Sequence, residues 1–238
     1  MSFDQTIRFD GNDLSPYILV TDVGRRVMPG RRITQTQIPG MDGALVSSVE
    51  LDPVEITVSA CIKRRLMPDV EEARIALAAM MASREPAPLV LPDSRGTYLM
   101  AVYEGGAEPS SLISVPDVEL VFLCADPVSY GQSRRQEISG EGYVVAGGTY
   151  RSKPVVTARP PAGESWQITN VDTGEFVRVY ADFDGSQEVV LDFPKSRCTV
   201  NGADHRVDVE SDFFFLEGTR KISVSSGSCT LEWAERWL

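Results

Sequence analysis

Apolar and polar residues alternate along two stretches of the first half of the chain. The alternation covers residues 54–62 and residues 118–124. A period of two is typical of a strand that buries one face, so both stretches are predicted to be half-buried strands.

A single helix is predicted between these strands, over residues 69–84. Pro68 and Asp69 open it, where a fixed φ and a negative charge suit the first turn, and Pro86 follows its end. Its apolar residues fall on one face at helical spacing: Val70, Ala73, Leu77 and Met80. Such a stripe is typical of core packing.

The last part of the chain has the pattern of short strands with no helix between them. Alternating or apolar runs recur near residues 166, 176–180, 189–191, 222–224 and 231–233. Asn201-Gly202 is a strong hairpin signal, because both residues tolerate positive φ. This spacing predicts an antiparallel β-sandwich.

A glycine-rich segment separates the two patterns. Gly140, Gly142, Gly147 and Gly148 lie close together among few large apolar residues. This composition predicts a linker over residues 136–150. The predicted domains are therefore residues 1–135 and residues 151–238.

Four arginines stand out in residues 24–43. The two pairs flank Pro29-Gly30, and Pro39-Gly40 follows them; Pro-Gly dipeptides mark tight turns. A hairpin is predicted, either simply solvated or making a protein–protein contact, for which the planar guanidinium is well suited. The arginines are Arg25, Arg26, Arg31 and Arg32.

The amino-acid composition argues against several classes of function. The 238 residues include 23 Lys and Arg against 34 Asp and Glu, a net charge of −11. A nucleic-acid-binding surface must neutralise phosphates, so the acidity argues against one. No apolar run is long enough for a membrane-spanning helix, and the acidic, polar residues 1–4 are unlike a secretory signal.

Cysteine and histidine give no sign of catalytic or metal chemistry. Cys61, Cys124, Cys198 and Cys229 lie far apart without the close pairs of zinc sites. Free, buried thiols are predicted in preference to disulfides. The one histidine, His205, has no nucleophile-elbow motif and is interpreted as a solvated turn residue.

An acidic turn has two interpretations, a calcium loop or an ordinary turn. Asp182, Asp184 and Gly185 begin like an EF-hand, but the twelfth position is Phe193 instead of glutamate. An ordinary turn fits better. No catalytic residue, metal site or cofactor is predicted.

The order of several motifs resembles the distal tail protein, or tail hub, family of bacteriophages with long non-contractile tails. The resemblance covers nearly the whole chain. One departure is Gly218-Thr219-Arg220, where the family often has Gly-x-Asn. The matching stretches are residues 9–17, Ile38-Pro39-Gly40-Met41-Asp42-Gly43, Leu91-Pro92-Asp93, residues 122–131, Val200-Asn201-Gly202, residues 211–218 and the closing Glu235-Arg236-Trp237-Leu238.

The resemblance implies a mainly β fold. It also implies that a β-rich N-terminal domain with one helix would form a six-fold ring, with a galectin-like antiparallel β-sandwich attached outside it. The implied partners are five further copies, the tail tube protein, the tape-measure protein, and tail-tip or receptor-binding proteins. DNA would pass through the lumen without specific binding, and no membrane is involved.

The resemblance also implies a place of action, and the ring that it implies requires contacts between subunits, which we predict from the residues of this chain. The protein would belong to the virion, at the tail tip, after assembly in the host bacterial cytoplasm; a hub of a phage-derived particle is an open alternative. We expect a neutral or negative lumen, because a basic one would hold phosphates. The expected subunit contacts are the segment 24–43, the helix 69–84, and in particular Arg25, Arg26, Arg31, Arg32, Met41 and Asp42.

A second hypothesis is a carbohydrate-binding module that attaches to host-surface glycans. A sandwich of this kind can stack a sugar on an exposed aromatic ring. The candidate rings are Trp166, Tyr180, Trp233 and Trp237, with core packing as the competing interpretation.

Overall fold

The computed structural model describes residues 6–63, 67–105 and 117–238, and the side chains of residues 67 and 68 are not described. The prediction about residues 1–4 lies outside these ranges. The chain divides into two compact units, residues 1–129 and 130–238. The predicted fold class is confirmed, since the protein is mainly β with one helix among the described residues.

The N-terminal unit is built on a seven-stranded sheet in the order β2-β1-β7-β8-β9-β6-β3. Its pairs are antiparallel. The strands are β1 (Arg8–Phe9), β2 (Asn12–Asp13), β3 (Ile18–Gly24), β6 (Val54–Ile62), β7 (Ala87–Val90), β8 (Leu99–Gly105) and β9 (Asp117–Cys124). The two predicted strands are therefore β6 and β9, which are hydrogen-bonded neighbours.

The core of this unit lies between the sheet and the helix α1 (Met67–Met80). Ala73 and Leu77 of the predicted helical stripe are buried there. Phe122 sits near the middle of the core, with its ring centroid 5.3 Å from that of Phe9. The helix ends at Met80 and not near residue 84. Met81 still donates its N–H to the carbonyl of Leu77 at 3.0 Å, and both Met80 and Met81 pack in the core.

A separate two-stranded sheet completes the N-terminal unit. It pairs β4 (Arg31–Thr36) with β5 (Leu45–Leu51). The hairpin predicted over residues 24–43 is thus displaced along the chain. Pro29-Gly30 links β3 to β4, which belong to different sheets, and the hairpin turn contains Pro39-Gly40 instead.

The C-terminal unit is an eight-stranded antiparallel sheet folded over one core. Its order is β13-β12-β17-β11-β14-β15-β16, with β10 also paired to β17. The strands are β10 (Ser129–Val145), β11 (Val155–Ala158), β12 (Gly163–Asn170), β13 (Phe176–Phe183), β14 (Val189–Asp192), β15 (Arg197–Val200), β16 (Ala203–His205) and β17 (Thr219–Trp237).

The long strand β17 joins the two halves of this sheet. Its first half pairs with β12, where Val224 lies opposite Ile168, and its second half pairs with β11, where Glu232 lies opposite Val155. Because one strand serves both halves, the core between them is continuous. Asn201-Gly202 forms the turn between β15 and β16, as predicted, and Asn201 has a φ of 50°.

The segment predicted as a linker is mostly strand. β10 runs through residues 129–145, and Ile138 and Val144 are buried in the C-terminal core. The glycines that suggested a linker serve the strand and its end: Gly140 adopts a φ of 68°, and Gly147 and Gly148 each adopt 72°. The packing of this strand comes from Ile138 and Val144, which are spaced apart along the sequence. A count of glycines does not detect such residues.

Candidate functional site

The β4–β5 hairpin is exposed along its whole length. All six residues of β4 are exposed, and no residue of β5 is buried. Neither strand has a further hydrogen-bonded strand among the described residues. An isolated two-stranded hairpin is at best marginally stable in water, so this one needs a surface to pack against.

One face of the hairpin carries a group of aliphatic side chains, with Arg31 and Gln35 on the same face of β4. Ile33 lies directly opposite Val49, and Val46 follows on the same face after a register shift. These three side chains are 53–56% exposed. A contiguous exposed patch of branched aliphatic side chains is typical of a protein–protein contact.

The other face of the hairpin is polar. Arg32 lies opposite Glu50, with its guanidinium 3.5 Å from the Glu50 carboxylate and 3.7 Å from that of Asp52. Thr34 and Ser48 continue this face. The hairpin is therefore amphipathic and presents its apolar face to solvent.

The four arginines predicted as contact residues fall into two classes. Arg25 pairs with Asp93 at 3.2 Å, and Arg32 pairs with Glu50 and Asp52. Arg26 and Arg31 have no carboxylate partner among the described residues. These two guanidiniums are available to a carboxylate of another chain.

Met41 and Asp42, also predicted as contact residues, lie in the exposed turn of the hairpin. Met41 is 48% exposed, and its N–H donates to the carbonyl of Ile38 at 3.1 Å. Gly40 and Gly43 flank the pair with φ of 83° and 87°. A side chain is strained at such φ values, so the glycines fit the turn.

The sequence interpretation missed β5 and with it the aliphatic face. Residues 45–51 contain Leu45, Val46, Val49 and Leu51 in the window that follows Pro39-Gly40. Centring the hairpin on Pro39-Gly40 would have paired these residues with Ile33. The hairpin was instead predicted around Pro29-Gly30, because the two arginine pairs flank that dipeptide.

Among the rings predicted to contact glycans, the prediction for Trp166 is wrong. It is completely buried in the C-terminal core, and its indole N–H donates to the carbonyl of Ser226 at 3.1 Å. No face of the ring is open to a sugar. Tyr180 and Trp237 are 53% and 39% exposed.

Tyr180 belongs to a hydrogen-bonded polar cluster on β13. Arg178 donates to the Gln167 amide oxygen at 2.8 Å, and to the Tyr180 hydroxyl and the Asp208 carboxylate at 3.2 Å each. The hydrogen bond to Tyr180 raises the pKa of Arg178. Because Asp208 also donates its backbone N–H to the Arg178 carbonyl, the cluster fastens the loop after β16 to β13.

The other side chains that were candidates for metal binding or catalysis make only local hydrogen bonds. Asp184 accepts hydrogen bonds from Ser186, which lower the pKa of its carboxyl group, as in a simple turn. His205 is half-buried at the end of β16, with Nδ1 2.9 Å from the Arg206 carbonyl. No cluster of three or more potential metal ligands occurs in the described part of the chain, and no helix there is long and apolar enough to cross a membrane.

The cysteines are free thiols, as predicted. Burial raises the pKa of Cys124 and Cys198 to about 11 and that of Cys229 to about 12. Cys61 is only half-buried, contrary to the prediction, because it lies on the outer side of β6 and donates to Asp117 at 3.0 Å.

Comparison with known proteins places both units. A family model described as a phage tail protein RIFT-related domain matches residues 12–124. A second, described as a siphovirus-type tail component, C-terminal domain, matches residues 147–237. Together they span most of both units.

A relative and two solved structures agree with these matches. The distal tail protein of Bacillus phage SPP1 is 24% identical over 207 residues, covering 84% of this chain and 81% of that protein. The crystal structure of the SPP1 hub protein superposes with a TM-score of 0.81 at 20% identity, over 98% of this chain and 99% of that one. A chain of the phage p2 baseplate in its activated conformation gives a TM-score of 0.52 at 7% identity, over 96% of this chain and 97% of that one.

Both units of the chain, in the same order and over nearly their full length, thus correspond to those of a phage tail component. The chain belongs to the distal tail protein family of siphovirus-type tail components.

Proposed function

We propose that this protein is the distal tail hub of a phage tail tip, six copies of which close into a ring. The ring would join the tail tube to the tail-tip or baseplate proteins, with DNA and the tape-measure protein passing through its lumen. The role is structural and involves no catalysis. Assembly takes place in the host cytoplasm, before the hub becomes part of the virion.

The observation that carries the proposal is the β4–β5 hairpin. A closed ring of identical subunits uses two different, complementary patches on each subunit. The hairpin supplies one such patch, because its aliphatic face finds no packing partner among the described strands of its own chain. Arg26 and Arg31, which lack carboxylate partners there, would add charge complementarity with an acidic neighbour.

The overall charge suits a conduit for DNA. At a net charge of −11 the protein repels phosphates on average, so DNA slides past instead of binding. An electrophoretic mobility assay with duplex DNA at low salt is expected to show no stable complex. A tight complex would contradict this part of the proposal.

The ring is tested by measuring the solution mass of the protein with light scattering, supported by negative-stain images. We expect hexameric rings for the unaltered chain. The double variant Arg26→Glu with Arg31→Glu is expected to lose them, because it turns attraction to the neighbour's carboxylates into repulsion.

The matched control reverses two exposed arginines of the same unit that lie outside the expected contact segments, Arg8 and Arg95, neither of which forms an ion pair with a carboxylate in the described structure. Arg8→Glu with Arg95→Glu should leave the rings intact. A strictly monomeric unaltered chain at high concentration would refute self-assembly. Rings that survive Arg26→Glu with Arg31→Glu would remove these arginines from the interface.

Attachment to glycans through Tyr180 or Trp237 stays a second prediction, and a glycan array tests it. Its basis is weaker, because Trp166 and Trp233 belong to the core.

A further inference from the structure

The outward side of helix α1 carries an apolar residue at a position where surface helices usually carry a polar one. Ala73 and Leu77 face the core, whereas Ile75, between them in sequence, is 64% exposed. Glu72 and Ala79 lie about one helical turn before and after Ile75, and both are exposed. We name this surface the helix patch and define it by Glu72, Ile75 and Ala79.

The carboxylate of the helix patch has no cation of its own. Glu72 forms no ion pair with a lysine or arginine in the described structure, whereas the adjacent Glu71 pairs with Arg74 at 3.2 Å. Because Glu72 is also exposed, its charge is available to a cation of another chain.

The β4–β5 hairpin has the matching set of side chains on one face. Ile33 lies opposite Val49, and Arg31 lies two residues before Ile33, on the same side of β4. The guanidinium of Arg31 lies 3.8 Å from the Met28 sulfur, and it has no carboxylate partner among the described residues. We name this surface the hairpin face and define it by Arg31, Ile33, Val46 and Val49.

The two surfaces also agree in spacing. Residues two apart on one side of a strand are separated by about 6.6 Å, and residues one helical turn apart are separated by about 5.4 Å. If Ile33 packs on Ile75, the guanidinium of Arg31 therefore comes within reach of the Glu72 carboxylate. The aliphatic contact and the charge pair can form together.

The N-terminal unit offers few other surfaces of this kind. Outside residues 27–49, its described part exposes two large apolar side chains, Leu19 and Ile75. Leu19 is 37% exposed and lies opposite Cys61, whose thiol already donates to the Asp117 carboxylate at 3.0 Å. Ile75 has the greater exposure and the carboxylate without an ion pair, so it fits the hairpin face better.

We propose that the hairpin face of one subunit packs on the helix patch of the next, with Ile33 against Ile75 and Arg31 paired with Glu72. Both surfaces are exposed in a single chain, so the contact forms only between chains. It joins two different surfaces head to tail, as a closed ring requires. The proposal rests on the ring proposed above and adds the surface that receives the hairpin.

The test is a charge exchange in the full chain, measured by light scattering and negative-stain images. Arg31→Glu and Glu72→Arg, each alone, place like charges at every interface. We expect each to raise the protein concentration needed for half-assembly by about tenfold or more. Combining Arg31→Glu with Glu72→Arg in one chain brings back opposite charges and should bring back the rings.

Mixing the two single variants shows whether the contact lies between chains. In a ring that alternates Arg31→Glu and Glu72→Arg subunits, each altered hairpin meets an altered helix and each unaltered hairpin meets an unaltered helix. Every interface then has opposite charges, and an even number of subunits permits the alternation. We expect the equimolar mixture to form hexamers at concentrations at which neither variant does so alone.

The matched control is Glu104→Arg, which reverses an exposed carboxylate on β8 of the same unit, also without an ion pair in the described structure. It should form rings as the unaltered chain does, and it should not rescue Arg31→Glu in a mixture. A further variant, Ile75→Gln, removes the aliphatic contact and keeps a good helix former. It should weaken assembly without lowering the thermal stability of the dissociated chain.

The outcomes separate this contact from the ring itself. If the unaltered chain forms no rings, the proposed function fails and the contact fails with it. If the unaltered chain forms rings, the ring stands and the contact is overturned by any of three results. These are rings that persist unchanged in Glu72→Arg, a mixture of Arg31→Glu with Glu72→Arg that forms none, and a loss in Glu104→Arg as large as that in Glu72→Arg.

Discussion

Two strand pairs of this protein have similar alternating sequences and opposite surroundings. In the β12–β13 pair, Trp166 lies opposite Val179 and Ile168 opposite Val177, and all four side chains are fully buried. In the β4–β5 hairpin, Ile33 lies opposite Val49, and both are more than half exposed. The first pair has its core within the chain, whereas the second presents an equivalent face to solvent.

This difference separates side chains that are buried when the monomer folds from side chains that would be buried only by a partner. Burying an aliphatic side chain contributes about 1.5–3 kcal/mol relative to leaving it exposed. The β12–β13 pair gains that contribution when the monomer folds. If our ring proposal is correct, the β4–β5 hairpin gains it only when a neighbouring subunit covers its aliphatic face.

The largest effect on stability is expected at Trp166. Trp166→Ala leaves a cavity in the C-terminal core and removes the hydrogen bond to Ser226, so the unfolding free energy should fall by about 3–5 kcal/mol. Chemical denaturation monitored by circular dichroism measures it. Tyr180→Ala, on the outer face of the same strand pair, is the control and should cost less than about 1 kcal/mol. Equal losses would contradict the assignment of the two faces.

The next effect is a dependence of stability on alkaline pH. Burial raises the pKa of Cys229 to about 12 and that of Cys198 to about 11, above the ordinary value of 9.0. The buried thiols therefore stay protonated while the unfolded chain ionises. Their contribution is complete below pH 9.0 and is lost as the pH rises through these raised values.

Denaturation curves recorded from pH 8 to pH 11 measure this loss. Cys229→Ala is expected to be less stable at pH 8 and to show a shallower decline, because it removes one of three buried thiols with raised pKa values, the others being Cys124 and Cys198. An unchanged slope in Cys229→Ala would mean that Cys229 is not the group that titrates. All curves are recorded at one ionic strength, so that the screening of the other charges is the same at each pH.

A smaller effect is expected at the turn between β15 and β16. Asn201 has a φ of 50°, and its side-chain oxygen accepts the Glu188 N–H at 2.9 Å. Asn201→Ala should cost about 1–3 kcal/mol, since alanine is strained at positive φ and lacks the acceptor. Asn201→Gly removes only the hydrogen bond and should cost less in thermal melts. If glycine proved as costly as alanine, the hydrogen bond and not the strain would dominate.

The smallest effect on the monomer is expected in the β4–β5 hairpin. Ile33→Ser with Val49→Ser should change the unfolding free energy of the dissociated chain by no more than about 0.5 kcal/mol, because both side chains are exposed. The same variant should lose ring formation in light scattering. A loss of stability comparable to that of Trp166→Ala would show that the hairpin packs on its own chain.

Much of the architecture was predictable from local patterns. The alternation in residues 54–62 and 118–124 correctly indicated β6 and β9, and helical spacing indicated the buried face of α1. These predictions succeeded because the period of apolar residues directly reflects the geometry of a helix or strand. The turn at Asn201-Gly202 succeeded because its φ values are a local steric matter.

The errors have a common cause. Pro29-Gly30 is compatible with a hairpin turn, yet in the structure it connects strands of two different sheets. The glycines of residues 140–148 are compatible with a linker, yet they lie within and directly after β10. Trp166 alternates like any strand residue, and its burial depends on the strands that cover it. Local composition does not specify which strands become neighbours, since that depends on contacts distant in sequence.

By itself, the sequence determined the β class, the single predicted helix, several strands with their inward faces, the free cysteines and the acidic charge, because each follows from local periodicity or from residue counts. Only the tertiary structure decided that β4 and β5 stand apart with their aliphatic face uncovered, and that Arg31 and Glu72 form no ion pair within the described part of the chain. The physical reason is that exposure and ion pairing depend on how distant elements pack, which no local pattern records.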